Sequence, residues 1–120
     1  MGGAIAALNH VIENGGIAGN MAGGTHHAHY DFGSGYCIFN DLAVCALMAL
    51  EKHNYQRVAI LDLDVHQGDG VYQAFESEPR VGIVDLHEDP STLFPNSPDK
   101  PGLVDCRGRA LETGLGHVTG

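Results

Sequence analysis

Apolar residues near the start of the chain recur at the spacing of one helical face. The residues that form this pattern are Ile5, Leu8, Val11 and Ile12. Asn14-Gly15-Gly16 follows and is typical of a helix stop, so the pattern predicts an amphipathic helix that ends near residue 14. The next apolar run, residues 17–22, is short and precedes two glycines, which favours a buried strand.

A second helical pattern begins at Asn40 or Asp41 and continues to about His53. Either of the first two residues can accept a hydrogen bond from a free backbone N–H group at the start of a helix. The predicted buried stripe consists of Leu42, Cys45, Ala46, Ala49 and Leu50. Between the two helices, residues 23–35 form a polar loop rich in glycine and histidine.

The pattern then changes to two short aliphatic runs. VAILDLDV at residues 58–65 and VGIVDL at residues 81–86 are typical of strands in a parallel sheet, and the helical segment VYQAFE lies between them. Strand, crossover helix and strand form the βαβ unit of an α/β fold, in which ligands bind at the carboxyl ends of the strands. Residues 102–120 are glycine-rich and carry no closing strand or helix signal, so we interpret the domain as interrupted.

Composition and charge narrow the class of protein. A chain of 120 residues with 43% hydrophobic residues can form one globular domain. Its net charge of -9 argues against direct nucleic-acid binding and suits a cationic partner better. Three cysteines without a CxxC pair indicate neither a disulfide framework nor a thiolate zinc site, and we expect a reducing, cytoplasmic compartment. The first residues resemble neither a signal peptide nor a membrane span.

Acidic and histidine side chains are concentrated at the end of the first predicted strand. Asp62, Asp64 and His66 alternate, so an extended backbone places them on one side. Adjacent carboxylates at a buried strand end repel each other, and a divalent cation would offset this cost. Zinc suits such nitrogen and oxygen ligands, and iron(II) or manganese are open to the same set. The alternative is a solvated acidic strand terminus that caps a neighbouring helix.

A second candidate cluster is the histidine pair in the glycine-rich loop. His26 and His27 could both face one cavity, where imidazole is suited to proton transfer near neutral pH. An exposed loop pair without catalytic use is the alternative. His29 has no second indication of function, and Asp69 in the turn before the predicted helix would ordinarily be a turn residue or helix cap.

Four segments together resemble the histone deacetylase and acetylpolyamine amidohydrolase family, in order and in spacing. They are GTHHA at residues 24–28, GYCIFND at 35–41, LDLDVHQGDG at 61–70, and LH at 86–87 followed by LFP at 93–95. The resemblance implies a three-layer α/β fold with a parallel sheet, of the arginase and deacetylase type. Gln67, where many relatives have a histidine, is closer to bacterial and class IV-like members.

The resemblance also implies roles for individual residues. Asp64 and His66 would be metal ligands, with zinc, or iron(II), as the cofactor. His26 and His27 would be the paired catalytic histidines, oriented by Asp62 and Asp69 respectively. The two aromatic residues that flank the narrow substrate tunnel of the family would be Tyr36 and Phe94. A potassium ion would be held by Asp62, Asp64, His66, Asp85 and Leu86, although Asp85 stands where a serine is frequent.

The implied reaction is metal-assisted hydrolysis of the acetyl amide of an acetylated lysine or an acetylated small amine. His27 would take a proton from the attacking water and return it to the leaving amine, while His26 gives electrostatic support.

The family's third metal ligand and its carbonyl-polarising tyrosine lie in later segments than those matched. We therefore expect residues 1–120 to be a partial deacetylase-like domain that lacks its C-terminal part. Two alternatives are a ureohydrolase of the same fold, which uses two manganese ions, and an inactive metal-binding or interaction remnant.

Overall fold

The computed structural model describes residues 1–96 and the backbone of residues 104–107. This part of the chain contains three helices and three strands. They are α1 (Gly2–Asn14), α2 (Asp41–Glu51), β1 (Val58–Asp62), α3 (Asp69–Ala74), β2 (Val81–Leu86) and β3 (Val104–Arg107).

The predicted first helix is confirmed as α1. It ends where Gly15 adopts a positive φ of 71° and donates its N–H to the Val11 carbonyl at 2.7 Å. A positive φ costs glycine little, because it has no Cβ, and this explains the stop. The apolar residues of α1 are half-buried, and α1 packs on α2.

The buried strand predicted at residues 17–22 is wrong. This segment forms no strand, and the side chains of Ile17 and Met21 are 99% and 104% exposed. Apolar residues become a strand only when a neighbouring strand supplies hydrogen-bond partners, and among the described residues none lies beside this segment.

The second helix begins and is buried nearly as predicted. Asn40 is the N-cap, and its side chain accepts the Ala43 N–H at 3.0 Å. The helix ends at Glu51, slightly before the expected His53. Of the predicted stripe, Ala46, Ala49 and Leu50 are buried and Leu42 and Cys45 only partly so; the other buried positions of the helix are Asp41 and Ala43.

The sheet confirms the predicted βαβ unit. β1 and β2 are parallel, with Val58 opposite Val81 and Asp62 opposite Asp85, and α3 lies in the connection between them. This register brings the two carboxylate-bearing strand ends side by side.

β1 is shorter than the predicted strand at residues 58–65. Beyond Asp62 the side-chain carboxylates compete for the backbone: Asp64 donates its N–H to Asp62 Oδ1 at 3.0 Å, and His66 donates its N–H to Asp64 Oδ1 at 2.8 Å. Such local bonds replace the ladder and turn the chain. The alternate residues Leu61 and Leu63 stay 64% and 66% exposed.

The expectation that residues 102–120 lack a strand is wrong at Val104–Arg107. These residues form β3, which pairs antiparallel with β2, so the sheet is mixed with the order β1-β2-β3. A four-residue strand in a glycine-rich stretch gives little periodicity, and pairing with β2 decides its conformation. The rest of the glycine-rich stretch lies outside the described residues.

Among the residues that the structure describes, an apolar cluster joins α2 and α3 to the sheet. Its buried members are Ala43, Ala46, Leu50, Ile60, Val71, Phe75, Val81 and Ile83. This packing fixes the carboxyl ends of β1 and β2 relative to the start of α3. Within residues 1–96 and 104–107, no helix combines the length and apolar character that a bilayer crossing requires.

Candidate functional site

An open cavity of about 650 Å³ lies beyond the carboxyl end of β1. Its lining comes from the histidine loop, the segment that follows it, the residues after β1 and the segment after β2. The lining residues are Gly24, His26, His27, Gly35, Tyr36, Cys37, Asp64, His66 and Phe94. Most of the predicted catalytic, metal and tunnel residues therefore share one cavity.

The buried carboxylate of Asp41 holds the entry to the histidine loop. Its oxygens accept the N–H groups of Gly24 at 3.0 Å and Thr25 at 2.9 Å, and also the Thr25 hydroxyl at 2.8 Å. Burial raises the pKa of Asp41, but the hydrogen bonds from Thr25 and Gly24 outweigh this and hold the pKa below its usual value. The first residue of α2 thus anchors the loop that carries His26 and His27.

The His26 side chain forms a buried pair with Asp62. His26 Nδ1 lies 2.6 Å from Asp62 Oδ2, and both residues are buried. Burial by itself lowers the pKa of His26, but the hydrogen bond and charge of Asp62, with the charges of Asp64 and Asp85, raise it above the usual value. This arrangement favours the cationic imidazole.

His27 forms a second pair, with Asp69 at the start of α3. His27 Nδ1 lies 2.7 Å from Asp69 Oδ1, and the ring is buried. The His26 and His27 rings are in contact, with centroids 4.1 Å apart. Because an ionised carboxylate only accepts, Nδ1–H of His27 donates to Asp69, which leaves Nε2 on the cavity side of the ring.

Asp64 and His66 lie together at the cavity, with Asp64 Oδ1 3.0 Å from His66 Nδ1 and 3.7 Å from His26 Nε2. Burial raises the pKa of Asp64, but the backbone and ring hydrogen bonds of His66 and the charges of His26 and His66 lower it below the usual value. Asp64 is therefore held as a carboxylate.

Asp64 and His66 carry donor groups of the kind that zinc binds, but Asp64 Oδ1 and His66 Nδ1 lie 3.0 Å apart in a hydrogen bond. The pair would hold an ion with these two atoms only after the His66 proton between them had left. In the described residues no group of three or more His, Cys, Asp or Glu side chains is arranged to hold a metal ion.

Asp85, which lies opposite Asp62 on β2, is a fully buried carboxylate, and only one of its two oxygens forms hydrogen bonds. Its Oδ2 accepts the Gly68 N–H at 2.8 Å and the Tyr72 hydroxyl at 2.7 Å, whereas Oδ1 is buried without a hydrogen-bond partner. Burial raises the pKa of Asp85, and the charge of Asp62 adds to this, against the hydrogen bonds from Gly68 and Tyr72. His87 Nε2 is likewise buried and unpartnered.

The two predicted tunnel residues line the cavity. Tyr36 is fully exposed and has a positive φ of 64°, directly after Gly35 with φ 53°. Phe94 meets the His27 ring edge-on, with centroids 4.8 Å apart. Gly35 packs against the His27 ring so closely that an added Cβ would lie 2.5 Å from Cδ2, so this turn also forms a wall for His27.

Sequence reasoning did not predict two contacts that hold residues of the candidate site. Asp41 was predicted only as a helix cap, and His29 was given no function, yet His29 Nε2 lies 2.9 Å from Asp69 Oδ2. The spacing of Thr25 and Asp41 gave no indication of their contact. A third histidine within three positions of the pair was the one available signal for His29.

The fold and the cavity define a class: an α/β protein whose paired histidines, each bound to an aspartate, face an Asp-His pair at the carboxyl end of a parallel strand. Comparison with known proteins agrees with this class. The histone deacetylase domain matches residues 1–119, and the chain belongs to that family.

Individual relatives come from bacteria and from a slime mould. The chain is 45% identical over 72% of its length to an uncharacterized protein of Picosynechococcus, of which it covers 29%. It is 37% identical over 98% of its length to the acetoin utilization protein AcuC of Staphylococcus aureus, covering 29% of that protein. It is 42% identical over 77% of its length to histone deacetylase B of Dictyostelium discoideum, covering 21%.

A solved structure shows the same fold. The crystal structure of an HDAC homolog from Aquifex aeolicus superposes with a TM-score of 0.71 at 36% identity, over 77% of this chain and 24% of that one. The chain thus spans less than a third of the length of these relatives.

Proposed function

We propose that this chain supplies the histidine pair and two metal ligands of a deacetylase that hydrolyses the acetyl amide of an acetylated lysine or acetylated small amine. The observation that carries the proposal is the pair of imidazole–carboxylate contacts, at 2.6 and 2.7 Å, whose histidines face one cavity. Membership of the histone deacetylase family supports it.

The proposed cofactor is zinc, with iron(II) as the alternative, held by Asp64 and His66. Carboxylate and imidazole donors suit both ions, and the lowered pKa of Asp64 favours the ligand form. When bound, such an ion supplies Lewis-acid polarisation of the amide carbonyl and a lowered pKa for water.

His27 is the proposed proton carrier. Its Nδ1–H is occupied by Asp69, so the unprotonated Nε2 can take a proton from water in the cavity. The same nitrogen then gives the proton to the leaving amine. The contact with Asp69 keeps the ring in the tautomer and orientation that both steps need.

His26 has a different proposed role, because its environment favours the charged form. Asp62 raises its pKa, and a cationic ring beside the cavity stabilises negative charge that develops on the amide oxygen. His26 therefore gives electrostatic support.

The proposed substrate class follows from the cavity wall and the charge of the chain. Tyr36 and Phe94 are flat apolar surfaces suited to the alkyl chain of an acetylated lysine or diamine. The net charge of -9 is compatible with a substrate that carries further positive charge, and it disfavours direct nucleic-acid binding.

Acetate release by the full-length gene product tests the function, with zinc or iron(II) supplied and with an acetyl-lysine peptide and a monoacetylated diamine as substrates. We expect turnover of one of the two, and a loss of at least about 100-fold in kcat for His27→Ala. An unchanged rate in His27→Ala would overturn the proposed proton transfer. Tight zinc binding without turnover of either substrate would support the inactive metal-binding alternative.

The buried Asp85 supports a second, separate proposal: a potassium ion near Asp62 and Asp85. The Oδ1 atom of Asp85 is a buried oxygen acceptor without a partner, which is the kind of donor that a hard cation takes. A cation there would also offset the repulsion between the two carboxylates.

A further inference from the structure

The carboxylate of Asp69 is shared by two histidines. Oδ1 contacts His27 Nδ1 at 2.7 Å, and Oδ2 contacts His29 Nε2 at 2.9 Å. Because the carboxylate only accepts, each imidazole donates to its own oxygen. We propose that His29 is a positioning residue that fixes Asp69 and, through Asp69, holds the tautomer and orientation of His27. The proposal rests on the role given above to His27.

Two fixed donors restrict the carboxylate more than one does. The terminal torsion of an aspartate side chain is broad, so a carboxylate held at one oxygen can rotate about its Cβ–Cγ bond. Asp69 is only partly covered, with its side chain 22% exposed, so water could compete for Oδ2 if His29 gave no hydrogen bond. With both oxygens occupied, rotation would break one imidazole contact.

His29 is itself held firmly enough to act as a support. Its Nδ1 lies 2.7 Å from Gln73 Oε1, and its ring stacks on Phe32 with centroids 4.3 Å apart and an interplanar angle of 11°. The backbone N–H of His29 donates to the Phe32 carbonyl at 3.0 Å. With Nε2–H given to Asp69, Nδ1 of a neutral ring only accepts, so the Gln73 amide has to turn its NH2 group toward this nitrogen. The ring is thus held by α3 at Nε2 and by the loop at its face.

The contacts of His29 also join the histidine loop to α3, and both of these segments contribute residues to the site. Asp69 and Gln73 lie on one face of α3, four residues apart, and both bind the same imidazole. A change at His29 would therefore reach His27 through Asp69, and also through the short stretch of loop that joins the two histidines.

The test uses imidazole NMR of the chain labelled with nitrogen-15, at about pH 8, where an unperturbed histidine is neutral. In the wild type we expect His27 to show the Nδ1–H tautomer, with a downfield Nδ1 proton that exchanges slowly with water. The variants His29→Gln and His29→Met have side chains of nearly equal length, but only glutamine offers an N–H donor to Asp69. His10→Phe, which removes an exposed imidazole of α1, is the control.

We expect His29→Gln and the control to keep the His27 signal, and His29→Met to lose the slowly exchanging proton and to show a mixture of tautomers. Equal His27 spectra in the glutamine and methionine variants would overturn the proposal. Loss of the folded circular-dichroism spectrum in both variants would also overturn it, because His29 would then be needed for folding itself.

A kinetic measurement separates this inference from the proposed function. In the full-length gene product, His29→Met should lower kcat about 10-fold with KM little changed, and His29→Gln should restore most of the loss. If the NMR difference is present but no acetate is released by the wild type, the positioning role stands and the proposed function fails. If acetate is released and the NMR spectra do not differ, only the positioning role fails.

Discussion

Thr25 and Asp41 hold each other through three hydrogen bonds across sixteen positions of sequence. The Thr25 N–H and hydroxyl both donate to Asp41 Oδ1, at 2.9 and 2.8 Å, and the Asp41 N–H donates to Thr25 Oγ1 at 3.1 Å. The contact fixes the residue that immediately precedes the histidine pair against the start of α2. The stability of the loop therefore depends on the charge of a residue outside it.

We predict that Asp41→Asn destabilises the chain by about 2 kcal/mol at neutral pH, because an amide cannot accept from all the donors that a carboxylate satisfies. The pKa of Asp41 is lowered on folding, so its contribution is present above the unfolded value, near 3.8, and is lost as the pH falls through the lower folded value. Urea unfolding of both proteins measures this. A stability difference that does not shrink in acid below pH 3.8 would contradict the role of the charge.

The zinc affinity of the chain separates the contribution of Asp64 and His66 from that of any other metal ligand. We predict that the 120-residue chain binds zinc weakly, because Asp64 and His66 are two ligands where stable protein sites have three or four. The variant with Asp64→Ala and His66→Ala should bind at least about 10-fold more weakly. Titration calorimetry gives stoichiometry and affinity. Tight binding of one zinc per chain would mean that a third ligand is present in these residues.

The burial of Asp85, whose Oδ1 atom has no hydrogen-bond partner, predicts an unusual pH dependence of stability. Its folded pKa is raised, chiefly by burial, so the folded state binds the proton more tightly than the unfolded state. The free energy of unfolding should therefore fall as the pH rises above 3.8 and through the raised value, in sodium buffer. Asp85→Asn should lack this fall and be more stable than the wild type by about 1 kcal/mol at neutral pH.

Exchange of sodium for potassium at equal ionic strength completes that test. If potassium binds at Asp85, the wild type should gain about 4 °C in unfolding temperature, the shift for about 1 kcal/mol in a chain of this size. Asp85→Asn should gain less. An equal gain in both proteins would show that potassium acts elsewhere.

Two glycine substitutions, at Gly15 and Gly35, test whether the turn at Gly35 supports the His27 ring. Gly15 and Gly35 both have positive φ, at 71° and 53°, but only Gly35 has a neighbour, the His27 ring. Gly15→Ala should cost about 2 kcal/mol from backbone strain alone, because φ 71° with ψ -169° is a conformation essentially restricted to glycine. Gly35→Ala should cost more and should also displace His27, which its NMR signal would report. Equal effects of the two substitutions would mean that the turn does not support the ring.

The elements predicted most accurately have a periodic pattern or a local cap. The first helix follows its four apolar residues to the glycine stop, and β2 matches its aliphatic run at both ends. Residues 17–22 were mispredicted because an apolar run does not reveal whether a strand partner lies beside it. β3 was missed for the converse reason, since its conformation depends on β2.

The same distinction applies to the site. The pairs of His26 with Asp62 and of His27 with Asp69 were inferred from the family resemblance, and the structure brings those atoms into contact. Whether these residues act in catalysis stays a prediction. His29 could not be assigned, because its contact with Asp69 spans forty positions and leaves no periodic trace in the sequence.

The early end of β1 has a consequence for handling the protein. Leu61, Leu63 and Val65 turn more than half of their surface to solvent on a segment that runs from the sheet to the cavity. Neighbouring exposed apolar side chains of this kind adhere to one another in water. We expect the chain to self-associate as its concentration rises. The concentration at which this begins will be the upper limit for measuring the affinity of any ligand.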